Sequence, residues 1–298
     1  MTAQPGFQDI VEQPIPRISI VDVGAMDERQ ERYHRLLASG LAVVVGFEPN
    51  PEQFARLQGR GGPYRYLPLC LGKGGPARLH ITRWPGCSSL LQPDPAVIDL
   101  FEMIGAASLD RTNNFQVLRD EELETVRLDD IVDLKVDYLK LDVQGSELEI
   151  LRHGTRKLAD TVVIETEVEF LPIYREQPLF GDIQVFLRDQ GFVLHKLIDC
   201  AGRPFRPFRR PNPYLPISQL LWADAVFVRD FSRLETYSDD GLLKAAAVLD
   251  VVYGSVDLVA LLLGEYDRRR ATSTRQCYIE KLGSRQVLTP FLNVKEAP

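Results

Sequence analysis

The chain has 298 residues, of which 45% are hydrophobic and 26% charged, and its 42 acidic and 35 basic residues give a net charge of -7. This composition is typical of a globular protein and excludes a disordered chain, and the acidic balance argues against a general electrostatic surface for nucleic acid or anionic membrane. The four cysteines lie far apart without a C-x-x-C pair, which indicates reduced thiols rather than a zinc knuckle or a redox dithiol.

Strand and helix signals alternate from the N-terminal arm onward. Residues 1–16 contain three prolines but no basic start and no apolar segment, which predicts a loose arm and not a signal peptide. Residues 41–48 are apolar almost throughout, as a parallel strand buried on both faces must be, and Asn50 with Pro51 has the pattern of a helix N-cap followed by a first-turn proline. The predicted strands cover residues 17–23, 41–48 and 64–71, with helices over 28–40, from Asn50 onward, and over 96–105.

Two further βα units are predicted from residue 137 onward. Strands are expected over 137–143, 161–167, 192–198 and 219–229, with helices over 146–153 and 180–190. The last two strands have no helix between them, which favours an antiparallel pair. The predicted fold class is therefore α/β, a doubly wound, mostly parallel seven-stranded sheet with one antiparallel edge strand, plus C-terminal helices. We expect an arm at 1–16, a sheet domain at 17–234 and a helical extension at 235–298.

The extension consists of two apolar helical segments, residues 242–253 and 256–269. Charged residues interrupt this most apolar part of the chain, so it cannot form a membrane span, and we expect a cytoplasmic protein without membrane contact. Rows of leucine, valine and alanine at helical spacing predict packing against the sheet domain, and a homo-oligomer interface is the alternative.

In a doubly wound sheet, ligands bind beyond the carboxyl ends of the strands where the strand order reverses. The first strand ends at Asp22, Val23, Gly24 and Ala25, and the second at Glu48, Pro49 and Asn50. An acid 24 positions after Gly24 can accept hydrogen bonds from both ribose hydroxyls, which indicates a cofactor that contains a nucleoside.

The turn after the first strand decides between cofactor classes. A dinucleotide site would have G-x-G-x-x-G, but this chain continues from Gly24 with Ala25, Met26, Asp27 and Glu28. Carboxylates repel a diphosphate and are compatible with a cationic sulfonium. The pattern therefore favours S-adenosylmethionine over NAD, and an NAD-dependent oxidoreductase is disfavoured.

At this point the sequence resembles the FkbM family of S-adenosylmethionine-dependent methyltransferases, which have the class I, Rossmann-like fold. The matching blocks occur in family order across residues 17 to 230. They are VDVGA (21–25), GFEPNPEQF (46–54), SSL (88–90), TVRLDDI (125–131), DYLKLDVQGSELEIL (137–151) and VVIETE (162–167).

The resemblance implies cofactor binding through Asp22, Gly24 and Glu48, with the loop at Asp142 closing the pocket and facing the acceptor. We extend the cofactor-binding prediction to the neighbouring residues Val23, Ala25, Pro49, Asn50 and Leu71. The implied reaction is methylation of a hydroxyl on a sugar, polyketide or other natural product, which leaves S-adenosylhomocysteine. Two departures limit the resemblance, because Met26 and Asp27 replace Asn-x-Gly and Gln144 replaces an acid in D-x-E-G-x-E. A catalytically silent module that binds the cofactor or a partner is the alternative function.

Acidic residues near the strand ends are the candidates for the general base. Crowded carboxylates raise the pKa of at least one member, so we choose Asp142 first, and then Glu165 and Glu147. Asp142 could instead cap the following helix or hold the cofactor's amino group, and Glu147 could serve the helix dipole. Glu165 and Glu167 lie on the same side of a strand, and one of them could pair with an arginine. Without a histidine in a ligand motif the case for a divalent metal is weak, although the sequence does not exclude one.

The segment 200–217 interleaves arginines with aromatic residues and five prolines. Arginine binds phosphate or carboxylate bidentately and aromatic rings stack on sugars, so we hypothesise a lid that recognises an anionic or glycosylated small-molecule or saccharide acceptor. A solvated, proline-stiffened connection is the alternative. The arginines concerned are Arg203, Arg206, Arg209 and Arg210.

Overall fold

The computed structural model describes residues 6–26, 31–102, 104, 114–212 and 214–282. Backbone proximity divides the chain into two compact units. We call residues 1–18, 31–42 and 232–298 the helical unit, and residues 19–30 and 43–231 the sheet unit. The predicted boundaries at residues 16 and 234 stay a prediction.

Ten strands and ten α-helices are seen in the described residues. The strands are β1 (Ile18–Val23), β2 (Ala42–Phe47), β3 (Tyr64–Leu67), β4 (Cys70–Leu71), β5 (Gly75–Thr82), β6 (Val117–Val126), β7 (Tyr138–Leu141), β8 (Val163–Glu169), β9 (Phe192–Gly202) and β10 (Leu220–Arg229). The helices are α1 (Phe7–Val11), α2 (His34–Ala38), α3 (Pro51–Leu57), α4 (Pro95–Ile98), α5 (Glu147–Arg152), α6 (Thr155–Leu158), α7 (Phe180–Asp189), α8 (Asp239–Val251), α9 (Val256–Arg270) and α10 (Thr274–Leu282).

The main sheet has seven strands in the order β3-β2-β1-β7-β8-β10-β9. Strand β1 pairs in parallel with β7, β2 with β3 and β7 with β8, whereas β10 runs antiparallel to both β8 and β9. The predicted mostly parallel sheet with a reversed strand at one edge is confirmed, and the reversed strand is the second from that edge. The strand order reverses between β1 and β7, so a ligand site is expected at the carboxyl ends of these two strands.

Side-chain alternation gives the sheet one apolar and one polar face at its carboxyl end. Leu139 and Leu141 of β7 and Ile164 and Val168 of β8 belong to the buried core on one face. The residues between them point to the opposite face because successive strand side chains alternate. Lys140 and the acids of β8 therefore share that second face.

Helix α3 begins as the sequence predicts. Its N-cap, Asn50, accepts hydrogen bonds through Oδ1 from the backbone N–H of Glu52 at 2.9 Å and of Gln53 at 3.3 Å, and Pro51 occupies the first helical position. These bonds satisfy N–H groups that have no partner inside the helix. The helix therefore starts three residues after Glu48, which fixes the backbone at the end of β2.

A second, three-stranded sheet of order β4-β6-β5 was not predicted. The strand predicted over 64–71 is divided, since β3 joins the main sheet and β4 pairs with β6. The predicted helix over 96–105 is observed as the short α4, and the end of that prediction lies outside the described residues. Most residues of β6 are exposed, so its sequence is polar and lacks the apolar residues that would indicate a strand.

Within the helical unit, part of the segment that was expected to be a loose arm is helical. Residues Phe7 to Val11 form α1, and the Phe7 ring meets the Tyr278 ring edge-on with centroids 6.1 Å apart. The Lys281 ammonium donates to the backbone oxygens of Asp9 and Ile10 at 3.1 and 3.4 Å. The arm prediction failed for these residues because α1 is too short to show a helical period.

Helices α8 and α9 pack on each other, and the apolar rows of both helices are buried. Leu242, Ala246 and Leu249 of α8 and Val259 and Leu263 of α9 are at most 1% exposed. Both packing against the sheet domain and a homo-oligomer interface stay predictions. Among the described residues, no helix combines the length and apolar character that crossing a bilayer requires.

Candidate active site

The turn after β1 is held between the ends of β2 and β7. The N–H groups of Gly24 and Ala25 donate to the backbone oxygen of Phe47 at 3.0 and 3.1 Å, and the N–H of Asp142 donates to the oxygen of Val23 at 3.0 Å. Gly24 has φ +81°, and a Cβ at this position would lie 1.9 Å from the backbone oxygen of Asp142. A glycine is therefore required both by conformation and by space.

Glu48 lies at the end of β2, close to this turn, and is 5% exposed. Its Oε1 accepts a hydrogen bond from the N–H of Asn50 at 2.7 Å, and no second hydrogen bond to its side chain is seen among the described residues. Burial raises the pKa of Glu48 to about 7, against the opposing effect of the Asn50 hydrogen bond and with a further contribution from Asp22. The carboxylate is thus positioned to accept hydrogen bonds from a ligand hydroxyl.

Asp22 forms a buried ion pair that the sequence analysis missed. The Lys140 Nζ lies 3.3 Å from Asp22 Oδ1, and the two residues are direct neighbours in the β1–β7 register. A buried charge is costly unless it is paired, so each group requires the other. The only sequence signal was a lysine inside the apolar run of β7.

The remaining predicted cofactor-binding residues fall into two groups. Val23 and Ala25 are buried in the turn, and Pro49 and Asn50 are half-buried after β2. Leu71 is buried in the apolar core of the sheet unit and pairs with Val126 in the second sheet. The structure therefore brings the first four beside Glu48 and places Leu71 in a packing role.

These residues fit a nucleoside cofactor with a cationic sulfur. Glu48 offers a carboxylate oxygen to the ribose hydroxyls, and the turn at Gly24 brings backbone close to it. The buried Asp22 is compensated by Lys140, so the turn itself carries little net charge. The residues that follow Met26 up to residue 30, Asp27 included, lie outside the described residues.

The loop after β7 carries the first-choice base, Asp142, and is organised by Gln144. The Gln144 Nε2 donates to Asp142 Oδ1 at 3.1 Å and to Glu167 Oε2 at 2.6 Å, and its Oε1 lies 3.1 Å from the Tyr174 hydroxyl. Gln144 has φ +60° and the following Gly145 has φ +106°. This left-handed pair turns the chain so that the amide bridges the two carboxylates.

Glu147 holds the same loop through its backbone. Its Oε1 accepts from the N–H of Val143 and its Oε2 from the N–H of Gly145, each at 2.9 Å. The side chain is 1% exposed, and burial raises its pKa to about 7. Both carboxylate oxygens are thus engaged with the loop, which is the arrangement of a residue that shapes the site.

The acids of β8 are separated along the strand. Glu165 accepts a hydrogen bond from the Tyr138 hydroxyl at 3.0 Å and lies opposite Lys140, so it is not brought to the loop at Asp142. Glu167 and Glu169, nearer the strand's carboxyl end, interact with Asp142 and Glu147. Burial and repulsion between these carboxylates raise the pKa of Glu167 and of Glu169 well above its ordinary value.

The arginines of the loop 200–217 are mostly engaged within the protein. Arg203 is buried, with its guanidinium 4.2 Å from the Tyr214 ring centroid and 4.8 Å from the Trp222 ring centroid. Arg206 and Arg209 both pair with Glu102. Arg210 is exposed. The sequence could not show that Glu102 would compensate two of the charges.

Within the part of the chain that the structure describes, no cluster of three or more His, Cys, Asp or Glu side chains has the geometry to hold a metal ion. The acids at the ends of β7 and β8 are instead linked by amide and hydroxyl groups. Their arrangement suits the binding of hydrogen-bond donors and the acceptance of a proton.

Residues 22–194 match the family of the methyltransferase FkbM domain, and this segment is more than half of the chain. The chain belongs to the FkbM methyltransferase family. The cofactor is therefore S-adenosylmethionine, and the strand order is that of the class I methyltransferase fold. Asp22, Gly24 and Glu48 lie within the matched segment, as do Asp142 and Gln144.

Solved methyltransferase structures resemble this FkbM methyltransferase at low sequence identity. Magnesium protoporphyrin IX methyltransferase from Synechocystis PCC 6803, with bound SAM, has 14% identity over 72% of this chain and 71% of its own, with a TM-score of 0.35. A putative methyltransferase from Thermoplasma acidophilum has 10% identity over 75% and 73%, with a TM-score of 0.37. A search of curated proteins found no match.

We expect Gly24→Ala to destabilise the FkbM methyltransferase and to abolish cofactor binding, because the added Cβ would overlap the Asp142 backbone. Gly62→Ala is the matched control, since Gly62 has φ +80° with nothing within 4 Å of its added Cβ. The control should cost only the strain of a left-handed residue, about 1–2 kcal/mol. Denaturant unfolding and calorimetry with S-adenosylhomocysteine measure both effects, and equal losses in the two variants would contradict the prediction.

Cofactor binding should weaken as the pH falls through about 7, because Glu48 has a pKa of about 7 and is protonated below it. If only the ionised carboxylate accepts both ribose hydroxyls, Kd rises roughly tenfold at one pH unit below the pKa. The probe is 5′-methylthioadenosine, which keeps the ribose and lacks the titrating amino group of the cofactor. Glu48→Gln should bind it more weakly at pH 8 and without this slope. A flat pH profile in the parent protein would contradict the assignment.

Proposed function

We propose that the protein transfers the methyl group of S-adenosylmethionine to a hydroxyl oxygen of a small-molecule or saccharide acceptor, with Asp142 accepting the hydroxyl proton. The observation that supports this most directly is the backbone contact between Asp142 and the turn at Gly24. This contact puts the proposed base next to the turn that the family uses for its cofactor. Natural products such as sugars and polyketides are the acceptor classes we infer.

The chain's own groups have separate tasks in this proposal. Bound S-adenosylmethionine supplies a methyl group already activated by its sulfonium sulfur, so the protein mainly aligns the partners and accepts a proton. Glu48 binds the ribose, and Asp22 with Lys140 supports the turn at Gly24. Asp142 lies half-exposed at the end of β7 with a single hydrogen bond, from Gln144, to its side chain among the described residues. Its second oxygen is the proposed proton acceptor.

Glu167 acts through Gln144 as a positioning residue. Its Oε2 receives the Gln144 amide at 2.6 Å, and the same amide nitrogen reaches Asp142 Oδ1 at 3.1 Å. The amide therefore keeps Asp142 in one orientation while it separates two carboxylates that would repel each other. Glu147 contributes by holding the backbone of the same loop, and its catalytic role and that of Glu165 stay predictions.

The loop 200–217 is proposed as a wall of the acceptor site. Phe205 stacks on Phe101 with centroids 4.6 Å apart, and the backbone N–H of Arg206 donates to the oxygen of Leu100 at 3.0 Å. Arg203 joins the loop to Trp222, which lies opposite Glu169 in the β8–β10 register. The loop is thus ordered by aromatic stacking beside the acids of β8, and Arg210 is the member that offers an exposed charge.

Asp142→Asn should lower kcat by about 10²–10⁴-fold, the usual contribution of a general base, and should leave the Kd of S-adenosylhomocysteine unchanged. The asparagine keeps an oxygen for the Gln144 amide but cannot accept the proton. Glu122→Gln is the matched control, because it removes one negative charge from an exposed side chain of β6 that pairs with Arg78. The assay is transfer of labelled methyl from S-adenosylmethionine to a panel of free sugars and macrolide polyketides.

In the same assay, an Asp142→Asn variant as active as the parent would contradict the choice of base. A parent protein that binds S-adenosylhomocysteine but methylates no acceptor would favour the catalytically silent module. A protein that does not bind S-adenosylhomocysteine would contradict the proposed function as a whole.

Arg203→Ala should raise the acceptor KM by about tenfold and leave the Kd of S-adenosylhomocysteine unchanged. The expected loss corresponds to about 1.4 kcal/mol, which is within the range of a partly desolvated cation–π contact, and Arg203 makes two such contacts. The control is Arg188→Ala, which removes an exposed arginine of α7 that pairs with Asp189. An unchanged KM, measured with the best acceptor of the panel, would show that the loop does not contact the acceptor.

A further inference from the structure

The acids at the carboxyl end of β8 and in the loop after β7 form a cluster without a cationic partner among the described residues. Asp142, Glu147, Glu167 and Glu169 influence one another electrostatically, and the structure pairs none of them with a lysine or arginine among the described residues. By contrast, the buried carboxylate of Asp22 on the neighbouring strand β1 forms an ion pair with the Lys140 ammonium. The cluster therefore has no counter-charge beside the proposed methylation site, and its acids ionise only against burial and mutual repulsion.

Among the described residues, two buried polar atoms at this cluster have no hydrogen-bond partner. They are Oε2 of Glu169, a residue that is 3% exposed, and Nε2 of Gln177, a residue that is 6% exposed. The other end of the Gln177 side chain is fixed, because its Oε1 accepts from the N–H groups of Ile173 and Tyr174 at 2.7 and 3.1 Å. Buried groups of this kind are normally satisfied, so the pair indicates a ligand that completes it.

The direction of the Gln177 amide places it at the cluster. A Cβ on Gly145, in the loop that follows Asp142, would lie 3.0 Å from Gln177 Nε2. Gln177 also lowers the pKa of Glu169, so the two side chains face each other, although their contact does not have the geometry of a hydrogen bond. A ligand group between them must donate to Glu169 and accept from Gln177.

A vicinal amino alcohol supplies both functions. Its ammonium group donates hydrogen bonds and neutralises carboxylates, and its neighbouring hydroxyl accepts from an amide. A diol would satisfy the same two atoms but would give the carboxylates no counter-charge with which to ionise. Burying carboxylates without a counter-charge is costly, so the charge decides between the two chemistries.

We propose that the acceptor of this methyltransferase carries an ammonium group adjacent to a hydroxyl, as in an amino sugar, and that Glu169 and Gln177 bind this pair. The proposal rests on the proposed function and narrows its acceptor to an amine-bearing class. Asp142, Gln144 and Glu167 are half-exposed and form the side of the cluster that a ligand reaches first. The ammonium then approaches Glu169, its neighbouring hydroxyl approaches Gln177, and another hydroxyl of the acceptor lies at Asp142.

Because the acids of the cluster titrate, the binding of an ammonium can be measured as a release of protons. Burial and mutual repulsion raise the pKa of Glu167 and of Glu169 in the free protein, where Asp224 and Tyr174 also face these acids. A bound cation favours the ionised carboxylates and lowers their pKa. Binding of an ammonium therefore shifts these carboxyls toward their ionised form and releases protons from the protein, whereas binding of a neutral sugar does not.

The test compares D-glucosamine, D-glucose and N-acetyl-D-glucosamine as probes of the full chain saturated with S-adenosylhomocysteine. Only the first carries an ammonium, and the others keep the ring and its hydroxyls. Ligand-observed NMR titration at pH 7 gives the Kd values, and calorimetry in buffers of different ionisation enthalpy gives the protons released. We expect glucosamine to bind at least tenfold more tightly than either neutral sugar and to release protons.

Glu169→Gln should reduce this preference to less than threefold, and Glu167→Gln is a second variant that should change it in the same direction. Glu122→Gln, the exposed charge control, should leave the preference unchanged. Retained binding of S-adenosylhomocysteine shows that each variant is folded. Equal binding of the three sugars, no binding of glucosamine, or a preference that survives in a folded Glu169→Gln protein would overturn the proposal. Failure to bind S-adenosylhomocysteine would instead contradict the proposed function.

Discussion

The site depends on the contact between the backbone of Asp142 and the turn at Gly24. A hydrogen bond of 3.0 Å joins Asp142 to Val23, and the space beside Gly24 is filled by the Asp142 backbone oxygen. Parallel strands end at the same edge of a sheet, so the adjacency of β1 and β7 is what brings the cofactor turn and the acidic loop together. Any larger residue at position 24 would separate the two functions.

The polar face of the sheet changes character toward the strand ends. Nearer the middle of the strands each acid has a partner, with Lys140 beside Asp22 and Tyr138 donating to Glu165. Nearer the carboxyl end of β8, Glu167 receives the Gln144 amide and Glu169 faces the Gln177 amide, and neither has a cationic partner among the described residues. Since buried carboxylates without a counter-charge destabilise a fold, their concentration next to the switch point supports the ligand binding that we propose there.

The sequence predicted the elements whose signals are local. The apolar run of β2 and the cap at Asn50 need only a few neighbouring residues, and both were found as expected. The second sheet was missed because the polar β6 gains its strand form from pairing with β5 across a long separation. Alternation showed that Glu165 and Glu167 share a face, but only the register reveals which one Tyr138 engages. Gln177 had no local signal, because its importance comes from the distant Gly145.

The amide at position 144 explains how the departure from the family pattern is compatible with the site. A carboxylate there could accept hydrogen bonds but could not donate to both Asp142 and Glu167, as the Gln144 nitrogen does. It would also add another negative charge to a cluster in which repulsion already raises the pKa of Glu167. The amide therefore leaves Asp142 oriented and Glu169 available, which is the arrangement that the proposed cationic acceptor requires.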